Sequence, residues 1–297
     1  MPSIQARVTD WVLRLMPHDK PGQPHDYVAE RKRNDVKQPV VPRDIKLEEA
    51  DLNGFNAEII TREGNDKGLV FYIHGGGFTT GSARERRVIT CYLVEHCGYD
   101  CISINYRLAP ENKWPAHIED CFTAYEHVLK MGYDPNRTVV MGESAGGTLA
   151  LSLGLLIKDR GSRMPKAIVA LSPCTDQYSD LPSHKGNIST DYMLRDAVSR
   201  GLTETLFDHE PDASQLRDPL ISPYYGNYEG LPPIFLSASD SETLYDDSVL
   251  LYQKLKREGH DVEFVKEHGL CHAYQIMTYM PEARKTLDKM CEFLDRI

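Results

Sequence analysis

A glycine-flanked serine is the strongest chemical signal in the sequence. Ser144 is the central residue of GESAG at residues 142–146, which lies between a short β-rich run and a helical run. A serine on a sharp strand-to-helix turn projects its hydroxyl from the carboxyl edge of a sheet, and the glycines leave room for that turn. The N-terminus of the following helix favours developing negative charge. The pattern predicts that Ser144 is a nucleophile. The same five residues would also be compatible with a glycine-rich turn whose serine has no catalytic role.

A second glycine-rich segment, HGGGF at residues 74–78, follows another β-rich run. Glycines let backbone N–H groups approach a substrate oxygen without obstruction, which is how an oxyanion hole is built. We expect the N–H groups of Gly76, Gly77 and Ala145 to stabilise an oxyanion. His74 begins the segment, and we expect its ring to orient the loop by a hydrogen bond rather than to act as a base.

A nucleophilic serine needs a histidine base and an acid that orients it, and after a serine turn of this kind the acid precedes the histidine in the chain. Three histidines follow the last acid candidates, namely His260, His268 and His272. Spacing favours His272, in a loop after the last β-rich run, over His268. Asp240 and Glu242 both follow the preceding β-rich run, and the residues alone do not separate them.

A metal site is the alternative interpretation of the same histidines. His268 and His272 are four residues apart, as in metal-binding pairs on helices. Gly269 weakens the helix that such a pair needs, and no third ligand is evident in the sequence, so we expect no metal there. Cys271 has no glycine turn around it and is not expected to be a nucleophile.

The elements around these motifs alternate between strands and helices. The β-rich runs are residues 69–73, 100–105, 138–141, 167–171, 234–238 and 262–265, and the helical runs are residues 88–95, 118–131, 146–159, 248–258 and 283–297. Such alternation predicts an α/β fold with a mostly parallel sheet covered by helices on both faces. We expect residues 1–297 to form a single domain.

Two segments depart from this alternation. At the N-terminus an apolar stripe predicts an amphipathic helix that docks onto the body of the protein; it consists of Ile4, Val8, Trp11, Val12 and Leu15. Residues 17–45 carry five prolines and many charges, and we expect an irregular tether there with little regular structure. The polar interval 176–228 is predicted to be an insertion with helical pieces that caps the functional edge of the sheet.

Composition excludes several classes of function. The chain is 41% hydrophobic and 26% charged with a net charge of −10, which is typical of a globular protein and argues against nucleic acid as a partner. No run approaches the roughly 18 apolar residues of a membrane span, and charges at residues 7, 10 and 14 interrupt a secretory signal, so we expect a cytoplasmic protein. The seven cysteines form no CxxC pair and indicate a reducing compartment rather than a disulfide framework.

Together, four motifs resemble the hormone-sensitive-lipase-like branch of the α/β-hydrolases. They are HGGGF at 74–78, NYRLAPE at 105–111 continuing to Pro115, Ala116 and Asp120, GESAGG at 142–147, and GLCHAY at 269–274. The resemblance covers residues from about 70 to 275. It implies an eight-stranded sheet, a helical cap formed by residues 1–45 and 176–228, and hydrolysis of short-chain carboxylic esters through an acyl-enzyme, without a cofactor.

The resemblance also implies roles that the spacing left open. The family usually places its acid four residues before an Asp-Asp or Asp-Glu pair, and the residue four before Asp246 is Glu242, although the family more often has aspartate there. Glu143 replaces a frequent aspartate and is expected to be structural. Arg107 and Asp120 are expected to form part of a buried polar scaffold near the serine turn.

Two other functions remain open from the sequence. The same residues could hydrolyse amides or formamides. Some plant relatives use this fold to bind a hormone after losing the triad histidine, but this sequence retains His272 in its motif. Many relatives pair through a sheet edge, so a homodimer is compatible with the resemblance. Side chains of the insertion that could line an acyl pocket or simply pack are Tyr178, Tyr192, Met193, Leu194, Leu206 and Phe207.

Overall fold

The computed structural model describes residues 1–16, 25–34, 39–194 and 205–297. Within these ranges the chain forms an eight-stranded sheet in the order β1-β2-β4-β3-β5-β6-β7-β8. The strands are β1 (Ile45–Asp51), β2 (Asn56–Arg62), β3 (Gly68–Ile73), β4 (Tyr99–Ile104), β5 (Thr138–Glu143), β6 (Ala167–Leu171), β7 (Ile234–Ser239) and β8 (Val262–Glu267). β2 pairs antiparallel with β1 and β4, and all other neighbours pair parallel. The predicted α/β fold with a mostly parallel sheet is confirmed.

Helices connect and cover the strands. They are α1 (Ile4–Leu15), α2 (Tyr27–Asn34), α3 (Arg87–His96), α4 (Ala116–Lys130), α5 (Ala145–Asp159), α6 (Pro182–Gly186), α7 (Ala213–Leu216), α8 (Tyr245–Arg257) and α9 (Pro281–Arg296). The five helices predicted from the body of the sequence correspond to α3, α4, α5, α8 and α9. None of the helices in the described ranges combines the length and the apolarity that crossing a bilayer requires.

Alternate residues of the central strands enter two separate cores. In β3, Phe71 and Ile73 pack in the core that α4, α5 and α8 cover, whereas Val70 and Tyr72 pack in the core that α3 and α9 cover. A parallel strand buried on both faces must be apolar at nearly every position. This is why the parallel strands stand out in the sequence as continuous apolar runs.

β1 and β2 lie outside the β-rich runs that the sequence indicates. β1 reads IKLEEAD and lies at the edge of the sheet, where Lys46, Glu48 and Glu49 are exposed. Charged side chains are typical of edge strands because they oppose pairing with other chains. The hairpin of β1 and β2 therefore lacks the apolar pattern that marks the strands of the sheet interior.

α1 is the predicted amphipathic helix, but it buries the opposite face from the one expected. The small Ala6 and the larger Leu13 pack in a cluster with Leu270 and Cys271, and the Ser3 hydroxyl donates a hydrogen bond of 2.8 Å to Glu282 of α9. The five apolar stripe residues are 46–75% exposed. The expectation that this stripe docks onto the body is wrong, because the helix is held through Ala6 and its N-terminal cap.

The expected irregular tether is wrong for residues 27–34, which form α2; residues 17–24 and 35–38 lie outside the described residues. Arg31 attaches α2 to the body of the protein. Its Nε donates to the Thr79 carbonyl at 2.6 Å, and Nη1 and Nη2 each lie 2.9 Å from the Glu111 carboxylate. The sequence YVAERKRN shows no apolar stripe, so these tertiary contacts stabilise a helix that the local pattern does not indicate.

The interval 176–228 contains helical pieces, as predicted. They are α6, α7 and a 3₁₀ turn at Pro223–Tyr225. Residues 195–204 of this interval lie outside the described residues. Its hydrogen bonds to the body include one of 2.7 Å from the Ser183 hydroxyl to the Thr243 carbonyl. The assignment of 1–45 and 176–228 as a cap stays a prediction.

Two of the seven cysteines form a disulfide, although their pattern in the sequence indicates a reducing compartment. Cys97 follows α3, Cys291 lies in α9, and their Cα atoms are 5.9 Å apart. The partners are separated by 194 residues, and no local spacing indicates such a pairing. The packing of α3 beside α9 on one face of the sheet brings them together. The other cysteines, at positions 91, 101, 121, 174 and 271, are buried thiols.

Candidate active site

Ser144 lies on a strained turn between β5 and α5. Its φ of +56° and ψ of −127° lie outside the regions that side-chain-bearing residues usually adopt. Such strain costs about 1–3 kcal/mol and persists only where the surroundings impose it. A Cβ on Gly142 would lie 2.3 Å from the Gly146 carbonyl oxygen, and one on Gly146 would lie 2.1 Å from the Ile73 carbonyl oxygen. Both flanking glycines are therefore required by space, which is the reason that the sequence pattern indicated.

His272 reaches Ser144 from the loop between β8 and α9. Its Nε2 lies 2.8 Å from Ser144 Oγ, and its side chain is 3% exposed. The next residue, Ala273, has a φ of +50° and begins a 3₁₀ turn at Tyr274–Ile276. A hydrogen bond of this length lets the hydroxyl pass its proton to the ring when the serine attacks a substrate.

Glu242 is the carboxylate beside His272. Its Oε2 lies 3.3 Å from His272 Nδ1, and its side chain is fully buried in the turn after β7. Burial raises the pKa of Glu242. Burial alone would lower the pKa of His272, but the hydrogen bond and the charge of Glu242 outweigh it and raise that pKa. A carboxylate in this position can stabilise an imidazolium.

The rival acid and the rival base pair with each other instead. Asp240 Oδ2 lies 2.9 Å from His268 Nδ1, and the His268 side chain is 77% exposed. His260 Nε2 lies 3.1 Å from the Pro232 carbonyl oxygen. Of the three candidate histidines, His272 is the one that contacts Ser144. In the described ranges, no group of three or more His, Cys, Asp or Glu side chains is arranged to hold a metal ion.

The three residues expected to form an oxyanion hole line the same cavity as Ser144 and His272; they are Gly76, Gly77 and Ala145. Gly76 has a φ of +115° and Gly77 a φ of +60°, and a Cβ on Gly76 would lie 2.3 Å from the Thr80 carbonyl oxygen. The Thr80 N–H closes this turn by donating to the Gly76 carbonyl at 2.9 Å. A side chain at Gly76 would therefore force this turn to change its conformation.

Glu143 connects the glycine loop to the serine turn. Its buried carboxylate accepts hydrogen bonds from the Gly75 N–H at 2.6 Å, the Tyr72 hydroxyl at 2.6 Å and Arg86 Nε at 2.5 Å. The expected structural role of Glu143 agrees with these contacts. Arg86 gives no functional signal in the sequence, because it belongs to the charged run RERR at 84–87, which resembles the solvated start of a helix. Tyr72 gives none either, because it lies within a core strand.

His74 makes the expected hydrogen bond within the loop. Its Nδ1 lies 2.8 Å from the Gly75 carbonyl oxygen, and its ring stacks on Tyr106 with the ring centres 4.4 Å apart. Burial lowers its pKa to about 4. The side chain is enclosed in the protein and does not contact Ser144.

A cavity of about 330 Å³ opens at Ser144. Its apolar side chains include Phe78, Met193, Leu194, Leu244 and Ile276, and its polar ones include Tyr27, Glu30, Thr79, Thr80, Arg86 and Thr205. Two of the candidate pocket residues of the insertion, Met193 and Leu194, thus reach the cavity. Leu206 and Phe207 pack in the core instead, and Tyr178 packs under the Arg217 guanidinium. Tyr192 lies beneath the Arg14 guanidinium.

Arg107 and Asp120 form an ion pair at the side of the sheet. Arg107 Nη2 lies 2.6 Å from Asp120 Oδ1, and the Arg107 backbone N–H donates to the same carboxylate at 2.9 Å. Asp120 is buried, whereas the Arg107 side chain is 52% exposed, so the expectation of a buried cluster is wrong for the arginine. The pair attaches the segment after β4 to α4 and fits the expected scaffold role.

Comparison with known proteins agrees with this architecture. Residues 70–276 match the model of a family described as having the alpha/beta hydrolase fold. The chain is 30% identical to an esterase from Acinetobacter venetianus across 84% of this chain and 82% of that protein, and 30% identical to an acetyl-hydrolase from Streptomyces hygroscopicus across 80% and 79%. The crystal structure of an esterase from the bacterial hormone-sensitive lipase (HSL) family matches with a TM-score of 0.88 at 29% identity, covering 100% of this chain and 99% of that one. The chain therefore belongs to the hormone-sensitive-lipase-like family of α/β-hydrolase carboxylesterases.

Proposed function

We propose that this serine carboxylesterase hydrolyses short-chain acyl esters with a triad of Ser144, His272 and Glu242. The observation that carries the proposal is the hydrogen bond of 2.8 Å between Ser144 Oγ and His272 Nε2. The distance of 3.3 Å from His272 Nδ1 to Glu242 Oε2 supports the order of nucleophile, base and acid that acyl transfer uses.

In the first half of the reaction, Ser144 Oγ attacks the ester carbonyl carbon and its proton passes to His272 Nε2. The carbonyl oxygen becomes an oxyanion, which the N–H groups of Gly76, Gly77 and Ala145 stabilise. Such a donor contributes roughly 3 kcal/mol to the transition state. His272 then returns the proton to the alkoxide as the alcohol leaves, and an acyl-enzyme on Ser144 remains.

In the second half, water takes the place of the alcohol. His272 accepts a proton from the water as its oxygen attacks the acyl carbon, and it returns that proton to Ser144 Oγ as the carboxylic acid leaves. Glu242 stays ionised throughout and stabilises the imidazolium in both halves. Its complete burial keeps water from competing for His272 Nδ1.

The size of the cavity supports short acyl groups. At about 330 Å³ it lies near the lower end of the roughly 300–1,000 Å³ range of small-molecule pockets. The relative from Streptomyces hygroscopicus, which bears the name acetyl-hydrolase, is consistent with a small acyl group. The name of the Acinetobacter relative, an esterase, supports an ester as the substrate class of this chain.

Two N-terminal and insertion segments contribute to the cavity. α2 and the 176–228 insertion supply Tyr27, Glu30, Met193 and Leu194 to the cavity, which supports a cap over the site. The cytoplasmic location, the lack of a nucleic-acid partner and a homodimer stay predictions.

The test is a series of 4-nitrophenyl esters from acetate to palmitate, with Ser144→Ala as the blank. We expect kcat/KM to be highest for the shortest acyl chains and to fall as the chain outgrows the cavity. Ser144→Ala should release no nitrophenol above the rate of buffer. Undiminished turnover by Ser144→Ala would rule out the triad, and a maximum at palmitate would rule out the short-chain preference.

A further inference from the structure

A guanidinium that the triad does not use lines the cavity beside Ser144. It belongs to Arg86, which lies at the end of the 3₁₀ turn Arg84–Arg86, and its side chain is 15% exposed. A cation so far removed from water is retained only where charges or hydrogen bonds compensate for the lost hydration.

Most of the hydrogen-bonding capacity of Arg86 is unused. Its Nε donates to Glu143 Oε1 at 2.5 Å. Nη1 lies 3.8 Å from Glu85 Oε2, which is beyond hydrogen-bond length. Within the part of the chain that the structure describes, Nε is the side-chain nitrogen of Arg86 that donates a hydrogen bond. A guanidinium presents donors on all three nitrogens in a planar fork. The donors on Nη1 and Nη2 are therefore available to a ligand in the cavity.

Arg86 is close enough to the reacting centre to contact the same substrate. A Cβ placed on Gly75 would lie 2.7 Å from Glu143 Oε1 and 3.0 Å from Ser144 Cβ. The carboxylate that binds Arg86 is thus a near neighbour of the nucleophile. A substrate atom a few bonds away from the scissile carbonyl can therefore reach the guanidinium of Arg86 while the carbonyl lies at Ser144.

The charges around Arg86 favour an uncharged acceptor over an anion. Glu143 already neutralises the guanidinium, and Glu30 of α2 adds another carboxylate to the cavity lining. A substrate carboxylate would be repelled by both glutamates, whereas a carbonyl oxygen accepts the same hydrogen bonds without that cost.

We propose that Arg86 is a specificity-determining residue that binds a second, uncharged oxygen acceptor of the substrate, such as a ketone carbonyl in a short acyl chain. This inference rests on the proposed esterase function and adds a substrate class to it, namely acyl esters with an internal carbonyl. An apolar group at the same place would strip water from the guanidinium and give no hydrogen bond in return.

The test compares two matched esters on the purified full-length enzyme. They are 4-nitrophenyl 4-oxopentanoate and 4-nitrophenyl 4-methylpentanoate, which differ by a carbonyl oxygen in place of a methyl group. The measured quantity is the ratio of their kcat/KM values, each divided by the rate of the uncatalysed hydrolysis. We expect the wild type to favour the oxo ester by about ten-fold or more. For 4-nitrophenyl hydrogen adipate against 4-nitrophenyl hexanoate, we expect the charged ester to be the poorer substrate.

Two variants of Arg86 separate recognition from structural support. Arg86→Gln keeps a donor for Glu143 but does not reach the cavity, and Arg86→Lys keeps the charge but loses the fork. In both variants the ratio of the corrected kcat/KM values for the oxo ester and the methyl ester should be close to one. The matched control is Arg87→Gln, which breaks the buried pair of Arg87 and Glu58, at 2.6 Å, outside the cavity and should keep the wild-type ratio. The ratio is informative because both esters use the same triad, so a general loss of activity cancels.

Three outcomes would overturn the inference. They are equal corrected kcat/KM values for the two matched esters in the wild type, an equal loss for both esters in the Arg86 variants, and a preference for the adipate over the hexanoate. In each of these cases an inactive Ser144→Ala would leave the proposed function standing. An active Ser144→Ala would overturn the proposed function itself.

Discussion

Asp240 Oδ2 lies 2.9 Å from His268 Nδ1, so the carboxylate of Asp240 binds a histidine other than the one beside Ser144. The two acids that the sequence could not separate lie two residues apart in the turn after β7. One faces an exposed histidine at the surface, and the other faces the buried histidine beside Ser144. The two acids are therefore expected to have different functions.

Replacement of each acid by its amide tests this difference. Glu242→Gln should lower kcat on the order of ten-thousand-fold, because the amide no longer holds the productive tautomer of His272 or stabilises its cation. Asp240→Asn should stay close to the wild-type rate. Steady-state turnover of 4-nitrophenyl acetate measures both. A nearly normal Glu242→Gln beside a crippled Asp240→Asn would reverse the assignment.

The pH dependence of kcat/KM should report His272. The ring must be neutral to accept the Ser144 proton, and Glu242 raises its pKa above the ordinary 6.5 despite the opposing effect of burial. Activity is therefore expected to fall, as pH decreases, through a midpoint above 6.5. In Glu242→Gln burial remains and the carboxylate is gone, so the midpoint of the residual activity should move to lower pH. An unchanged midpoint would argue against the pairing of His272 with Glu242.

Gly76→Ala should damage turnover more than folding. The Cβ would lie 2.3 Å from the Thr80 carbonyl oxygen at a φ of +115°, so the backbone must shift. The N–H group that we propose as an oxyanion donor would then be displaced. We expect kcat to fall by about 100-fold or more. Gly132→Ala is the matched control, because Gly132 has a φ of +100° with no atom within 4 Å of the new Cβ. If both variants lose kcat equally, the special role of Gly76 is refuted.

The disulfide of Cys97 and Cys291 should contribute to stability. Cross-linking residues that are 194 positions apart stabilises by about 5 kcal/mol in the chain-entropy account. The double variant Cys97→Ser, Cys291→Ser should lower Tm on the order of 10 °C while kcat is retained, since neither residue lines the cavity at Ser144. Thiol titration of the wild-type enzyme, denatured without a reducing agent, should find five thiols. A count of seven would instead support the reducing compartment that the sequence indicates.

The sequence predicts the parts of the fold that local pattern determines. β5 and β6 are buried on both faces and appear as apolar runs, whereas β1 carries charges at the sheet edge and gives no such signal. The apolar stripe of α1 correctly indicates a helix but not the face that packs. That choice depends on Ala6 and on the contact of Ser3 with Glu282, both of which involve residues far along the chain.

In the candidate site too, some residues can be predicted from local sequence and others only from the folded chain. Ser144 and His272 lie in short motifs that are recognisable in the sequence. At Ser144 the reason is local, because the turn leaves no space for a side chain at Gly142 or Gly146. The choice between Asp240 and Glu242 depends on which side chain faces the loop after β8, which spacing alone does not determine. Arg86 is a further example, since only the folded chain brings it to Glu143.

Arg31 connects α2, which lines the cavity at Ser144, to the glycine loop at the same cavity. The guanidinium binds the Thr79 carbonyl, three residues after Gly76, while α2 itself presents Tyr27 and Glu30 to the cavity. An exchange of this N-terminal helix for that of a relative would change both the shape of the pocket and the support of the glycine loop. Substitutions in α2 that are designed to alter selectivity should therefore also be assayed for their effect on kcat.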